Sequence, residues 1–327
     1  METPQHNLAL DLVRITEAAA LASARWLGRG DKKAGDQAAV DAMRLSFNAI
    51  NVLGTIVIGE GEKDKAPMLY NGEKVGTQEG PVVDVAVDPV EGTNLLAFGR
   101  PNAISVVGMA PQGSMYNPGP SYYMQKLVVP GPASQAADLD APVGDNLKAI
   151  ARALGKDIDD LIVFVLDKPR HAELIQDIRR AGARIQLHSD GDVAGALMAV
   201  DPRSDVDVLM GTGGTPEAVL SACAIKALGG EMYCRLDPQK DDEKAALAEL
   251  GTDLQTVLNV RDLVKDEDVF FAATGISGGT FLPGVRYTGE GAYTYSMVMR
   301  SKTGTFRRIE ATHSWEKLMR FSSVDYD

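Results

Sequence analysis

Between Leu161 and Leu228 short apolar runs alternate with helical patterns, and this alternation narrows the possible folds more than any other feature of the 327 residues. Leu161–Leu166 is a continuous apolar run, the pattern of a strand covered on both faces. His171–Ala181 then reads as a helix closed by Gly182, Arg184–His188 as a strand, and Val193–Val200 as a helix. Val206–Met210 and Pro216–Leu228 repeat the strand and the helix. Each strand is followed by a crossover, so the series predicts a parallel sheet in an α/β protein. Ligands of such sheets gather at the carboxyl ends of the strands, which directs attention to three loops: Asp167-Lys168-Pro169-Arg170-His171, Asp190-Gly191-Asp192 and Gly211-Thr212-Gly213-Gly214-Thr215-Pro216-Glu217.

The first half has a different texture. Leu8, Leu12, Ile15, Ala19, Ala22 and Trp26 mark one face of a helix that ends at Gly28 and Gly30. A second helix is expected over Gln37–Ile50 with Asp36 as its N-cap. Thr55–Ile58 is a short strand stopped by Gly59-Glu60-Gly61-Glu62. Val82–Val87 is a strand with Val83, Val85 and Val87 on one face and Asp84, Ala86 and Asp88 on the other. Ala103–Gly108 is a further strand, and Lys302-Thr303-Gly304 is a hairpin turn between Tyr293–Arg300 and Thr305–Ala311. Prolines 130, 132 and 142 make Pro130–Gly144 read as a linker, which predicts two domains, 1–140 and 141–327.

Composition excludes several functions. The chain carries 45 acidic and 33 basic side chains, a net charge of −12, which argues against a nucleic-acid surface. Two cysteines, Cys223 and Cys234, cannot build a disulfide framework, and the four histidines show no short metal spacing. A metal would therefore be held by oxygen ligands, which suits Mg²⁺ or Mn²⁺. Met1-Glu2-Thr3-Pro4-Gln5 has no basic leader region and no apolar run is long enough to span a membrane, so the reading is a soluble, cytoplasmic protein.

The densest chemistry lies in Asp88-Pro89-Val90-Glu91-Gly92-Thr93. A strand delivers Asp88, Pro89 is expected to end its pairing, and Gly92 permits a turn into a helix. Two carboxylates three residues apart can meet one hard cation, and Thr93 sits where helix N–H groups favour phosphate. A plain strand–turn–helix with a threonine cap is the competing reading. Glu60 and Asp36 are also acidic groups at strand ends or caps, and strand ends share one edge of a sheet. In the second half, Lys168 and Arg170 precede a helix, a usual means of gripping phosphate. Asp190 and Asp192 can accept hydrogen bonds from sugar hydroxyls. The glycine run fails the dinucleotide pattern at Pro216, and no phosphate loop of the G-x-x-x-x-G-K-[ST] type is present.

Together these stretches resemble the lithium-sensitive sugar and inositol phosphatases, and within them the bacterial class II fructose-1,6-bisphosphatases. Trp26–Lys32, Ile56–Glu62, Ala66–Tyr70, Lys168–His171, Asp190–Val193 and Gly213–Glu217 carry the likeness across nearly the whole chain. The resemblance implies a layered α-β-α-β-α fold, with a metal-binding α/β domain, a sugar-phosphate-binding α/β domain and the site between them. It implies Asp36, Glu60, Asp88, Glu91 and Glu217 as ligands of Mg²⁺ or Mn²⁺, and Lys32 and Thr93 as catalytic. Substrate contacts would come from Glu91, Gly92, Thr93, Tyr123, Lys168, Pro169, Arg170, Asp190, Gly191, Asp192 and Gly214. Tyr122 is the alternative to Tyr123, because the loop around Asn117-Pro118-Gly119-Pro120 is a residue longer than in the family. The expected reaction is attack of a metal-activated water on the 1-phosphate of fructose 1,6-bisphosphate by a homo-oligomer, a dimer or a tetramer. Sedoheptulose 1,7-bisphosphate or an inositol phosphate is the alternative substrate. A dinucleotide-dependent oxidoreductase and a non-catalytic sugar-phosphate sensor are the alternatives from other classes. Gly35 replaces a more usual alanine, and the shortened segment Asp237–Leu250 is expected to bear on the surface rather than on the site.

Overall fold

The computed structural model describes residues 7–61 and 68–321. The amino-terminal residues 1–6, Glu62 of the acidic turn and the Ala66-Pro67 pair therefore lie outside the described residues. Chain contacts divide the protein into two units, residues 1–113 with 267–327, and residues 114–266.

The first unit contains α1 (Ala9–Ser23), α2 (Lys32–Phe47), β1 (Leu53–Ile58), β2 (Lys74–Val75), β3 (Val82–Glu91), α3 (Thr93–Ala97) and β4 (Ile104–Pro111). Its sheet runs β2-β1-β3-β4 and continues into strands from the far end of the chain. Among the described residues only β1 and β3 pair in parallel there; β3 and β4 are antiparallel. Leu12, Ile15 and Ala19 of α1 and Met43 and Phe47 of α2 form a core with Val83, Val85 and Val87, the face of β3 expected from its alternation. The helix expected at Gln37 starts earlier, because Asp31 rather than Asp36 is the N-cap: its Oδ1 accepts from the Ala34 N–H at 3.0 Å.

The second unit holds β5 (Tyr123–Val129), α4 (Val143–Leu154), β6 (Ile162–Leu166), α5 (Ala172–Ala181), β7 (Arg184–His188), α6 (Asp192–Val200), β8 (Val208–Gly214), α7 (Thr215–Leu228), β9 (Glu231–Leu236), α8 (Asp241–Glu249) and α9 (Val260–Leu263). Its sheet order is β7-β6-β8-β5-β9. The three strands β7, β6 and β8 are parallel, as the alternation requires, while β5 is antiparallel to both β8 and β9. Leu147 and Ile150 of α4 and Ile175 and Ile178 of α5 pack on Val163, Val165 and Val208, and every residue of α6 is buried. The remaining elements, β10 (Phe270–Gly275), β11 (Arg286–Tyr287), β12 (Gly291–Arg300), β13 (Thr305–Ser314) and α10 (Trp315–Phe321), return to the first unit.

The boundary expected at residue 140 differs from this division. Pro130–Gly144 is no linker: Gly131–Ala136 forms 3₁₀ turns, Ala133 is fully buried, and α4 begins at Val143. The C-terminal hairpin, expected in the second domain, pairs through β10 with β4 of the first.

Candidate active site

In the first unit the parallel pairing of β1 and β3 brings their carboxyl ends to one edge, with Glu60 just past the end of β1 and Asp88 near the carboxyl end of β3. Asp36 lies in the second turn of α2, half-buried, and as a side chain within the helix it is not spent on the cap. The three carboxylates feel one another. Burial, then Asp88, then Asp36 push the Glu60 carboxyl up to about 8, and burial raises Asp36 as well.

Pro89 does not end β3. The β3–β4 register shifts between Asp88↔Val106 and Glu91↔Ile104, which adds one residue to β3 at the Pro89-Val90 step. Proline is tolerated there because a bulge leaves its missing N–H without a ladder partner. The extra residue has a chemical consequence. Positions 88 and 91 are an odd number apart and would face opposite sides of a regular strand. With the bulge, carboxylate oxygens of Asp88 and Glu91 come within 4.8 Å of each other. The Val90 N–H donates to Asp88 Oδ1 at 3.0 Å and fixes that side chain. Gly92 follows at φ +89°, a left-handed conformation that suits glycine, and Thr93 opens α3. Lys32 is exposed at the first position of α2, with Nζ 5.4 Å from the Phe98 ring centroid.

In the second unit the carboxyl ends of β6, β7 and β8 carry the three polar loops. Lys168 Nζ lies 3.8 Å from Asp190 Oδ1, tying the first loop to the second. Arg170 donates from Nε and Nη2 to the Thr212 carbonyl at 3.0 and 2.7 Å, and its guanidinium stands 5.2 Å from the Tyr123 ring centroid. Tyr122 instead lies below Lys240. His171 is buried; its Nδ1 bonds the Leu166 carbonyl at 2.7 Å and its Nε2 accepts the Thr212 N–H at 2.7 Å, which fixes the neutral tautomer. Burial lowers its pKa further, so it braces the loops as a neutral ring.

The glycine run is explained by close approach rather than by a dinucleotide. It is part of β8 itself, paired with β5. A Cβ on Gly213 would fall 1.7 Å from Asp192 Oδ2, and one on Gly214 would fall 1.8 Å from Glu217 Oε2. Glu217 thus folds back from the first turn of α7 over Gly214. Asp192 turns inward: its Oδ2 meets Lys126 Nζ at 2.6 Å, and both side chains are buried.

Sequence reasoning missed Lys126 and Glu243. Lys126 lies on a strand of mixed polarity where nothing distinguishes it from a surface lysine. Glu243 belongs to the segment expected at the surface, yet it is 1% exposed. It accepts the N–H groups of Tyr122 and Tyr123 at 2.6 and 3.0 Å and that of Gln239 at 3.0 Å, so it holds the backbone that carries Tyr123. The run of acids at Asp241-Asp242-Glu243 hid it.

Residues 6–313 match the family described as bacterial fructose-1,6-bisphosphatase, glpX-encoded. The chain is 45% identical over 322 residues to fructose-1,6-bisphosphatase 1 class 2 of Escherichia coli (strain K12), covering 94% of this chain and 96% of the relative. The class 2 fructose-1,6-bisphosphatase of Shigella flexneri matches at the same identity and coverage. Among solved structures, inositol monophosphatase from Anabaena (Nostoc) sp. PCC 7120 aligns with 76% of this chain and 97% of its own, at 13% identity and a TM-score of 0.37.

Proposed function

This chain belongs to the bacterial fructose-1,6-bisphosphatase family, and on that premise we propose that it hydrolyses fructose 1,6-bisphosphate to fructose 6-phosphate and phosphate with divalent cations held by Asp36, Glu60, Asp88, Glu91 and Glu217. Glu60 is the observation that carries the cation assignment. A carboxyl held at about 8 by burial and two neighbouring carboxylates is a group whose ionisation a cation favours. The donors are all carboxylate oxygens, without thiolate or imidazole, a set that suits Mg²⁺ or Mn²⁺. When bound, such ions supply positive charge to the phosphoryl oxygens and lower the pKa of a coordinated water.

The chain's own residues bind and orient. Thr93 presents its hydroxyl, and Gly92 allows backbone to approach, at the phosphoryl group beside Glu91. Lys32 stands at a helix N-terminus, where the dipole disfavours a cation, and its ammonium is offered to the charge at the scissile phosphate. Lys168 and Arg170 hold the remote phosphate over Tyr123. Arg170 uses two of its five N–H groups on Thr212, and the others remain for phosphate. Pro169, Asp190, Gly191 and Gly214 line the sugar, and Asp192 sets the Gly191 turn through Lys126. Binding energy from the remote phosphate then positions the reacting end. The reaction belongs in the cytoplasm, where sugar phosphates are handled, and no helix among the described residues is long and apolar enough to cross a membrane.

Two measurements test this reading. Thr93→Ala should lower kcat by about 10²-fold, as the loss of a preorganised phosphoryl contact does, and an unchanged kcat removes Thr93 from the reaction. On a panel of fructose 1,6-bisphosphate, sedoheptulose 1,7-bisphosphate and inositol monophosphate, fructose 1,6-bisphosphate should give the highest kcat/KM. Preference for the inositol ester refutes the proposal.

A further inference from the structure

Arg170 takes its aim from one peptide, that of Thr212. Among the described residues β8 pairs with β6 only at Val208 and Leu209. Gly211 then adopts φ +136°, a conformation that suits glycine, and a Cβ there would fall 2.9 Å from His171 Nε2. From this point side chains take the place of the strand on that side of β8. The Thr212 N–H donates to His171 Nε2 at 2.7 Å, and the Thr212 carbonyl accepts Arg170 Nε and Nη2 at 3.0 and 2.7 Å. A ladder partner would fix such a carbonyl. Without one, the direction of Arg170 depends on what else holds Thr212.

Asp237 supplies that hold, although it opens the segment expected at the surface. The Thr212 hydroxyl donates to Asp237 Oδ2 at 2.6 Å, and Thr212 is buried, so water competes little for the bond. The Asp237 N–H donates to the Tyr123 carbonyl at 2.9 Å. One residue therefore ties down Arg170, through Thr212, and the backbone of Tyr123, whose ring stands 5.2 Å from the guanidinium. A cleft of about 400 Å³ opens beside them, lined by Arg170, Thr212 and Asp237 and also by Glu173 and Asp177 of α5. With Thr212 loose, those carboxylates offer the guanidinium another destination, away from Tyr123. We propose that Asp237 is a positioning residue for the remote phosphate: it holds Thr212, and through it Arg170, and so sets the preference for a bisphosphate over a monoester of the same sugar. This rests on the reading above in which Arg170 holds that phosphate.

Steady-state kinetics of the full chain test it, with fructose 1,6-bisphosphate as substrate and two competitors: fructose 6-phosphate, which carries the remote phosphate, and fructose 1-phosphate, which lacks it. Arg170→Ala should raise KM, and an unchanged KM overturns the remote-phosphate reading and this inference with it. Asp237→Ala removes the charged acceptor of the Thr212 hydroxyl. It should raise KM and the inhibition constant of fructose 6-phosphate about 10-fold, with kcat and the inhibition constant of fructose 1-phosphate near wild type. Asp237→Asn keeps an oxygen that accepts the hydroxyl and should recover most of the loss. Thr212→Val removes the hydroxyl at nearly the same shape and should raise KM by a similar factor, and the double variant T212V/D237A should raise it no further. Circular dichroism of each variant confirms that it is folded. If Arg170→Ala raises KM and Asp237→Ala does not, the inference falls and the reading of Arg170 stands. It falls equally if Asp237→Ala weakens both competitors alike, or if the effects of Thr212→Val and Asp237→Ala multiply.

Discussion

Replacing Glu60 with glutamine should remove a fall in the stability of the metal-free protein between pH 5 and pH 8. In the fold the Glu60 carboxyl is held at about 8 against an ordinary value of 4.5. Below pH 4.5 it is protonated in both folded and unfolded chains and contributes no difference. Between 4.5 and 8 the unfolded chain gives up the proton while the folded chain keeps it, so stability falls as pH rises. Above 8 the full penalty is present. At about 1.4 kcal/mol per pH unit, this one group removes roughly 2–3 kcal/mol of stability between pH 5 and pH 7. Glutamine has the same shape and no proton to lose. Urea unfolding of both proteins in EDTA should therefore show Glu60→Gln gaining about 2–3 kcal/mol on the wild type over that interval. Added Mg²⁺ or Mn²⁺ should reverse the order, because only the wild type supplies the carboxylate. A difference that stays constant from pH 5 to pH 8 would refute the claim that Asp36, Glu60 and Asp88 crowd one site.

Two further substitutions separate the parts of the site. Gly214→Ala keeps a backbone that alanine tolerates, φ −68° and ψ 141°, but its Cβ would displace the Glu217 carboxylate. Metal affinity read by calorimetry should fall about 10- to 100-fold while stability in EDTA stays near wild type, and intact affinity would remove Glu217 from the ligand set. Glu243→Gln weakens the anchor under Tyr122 and Tyr123. It should raise KM by about 10-fold with little change in kcat, since hydrogen bonds to a charged acceptor are worth roughly 1.5–3 kcal/mol, and an unchanged KM would separate Tyr123 from substrate binding.

Patterns with a period were legible in the sequence, and single close approaches were not. The β6–α5–β7–α6–β8–α7 series and the valine face of β3 follow from alternation and apolar runs, and both stand in the structure. The α2 start was misread because Asp31 and Asp36 are both good caps, and the choice between them depends on Ala34 reaching back to Asp31. The bulge at Pro89-Val90 was read as a strand end, since proline signals both. The glycine run fails the dinucleotide pattern in the sequence, and the structure gives its reason: Gly213 and Gly214 make room for the carboxylates of Asp192 and Glu217. The linker at Pro130–Gly144 failed for a related reason: prolines there shape 3₁₀ turns that carry Ala133 into a core, and proline content alone does not reveal burial. Lys126 and Glu243 are buried charges held by partners distant in sequence, and no local pattern announces such a pairing.

The negative charge of the chain, −12 in total, is put to use where carboxylates crowd Glu60. Phosphate release from fructose 1,6-bisphosphate by chelator-stripped protein tests that account most directly. Activity should be absent in EDTA and should return on titration with Mg²⁺ or Mn²⁺. Turnover that persists after complete removal of divalent ions would contradict it.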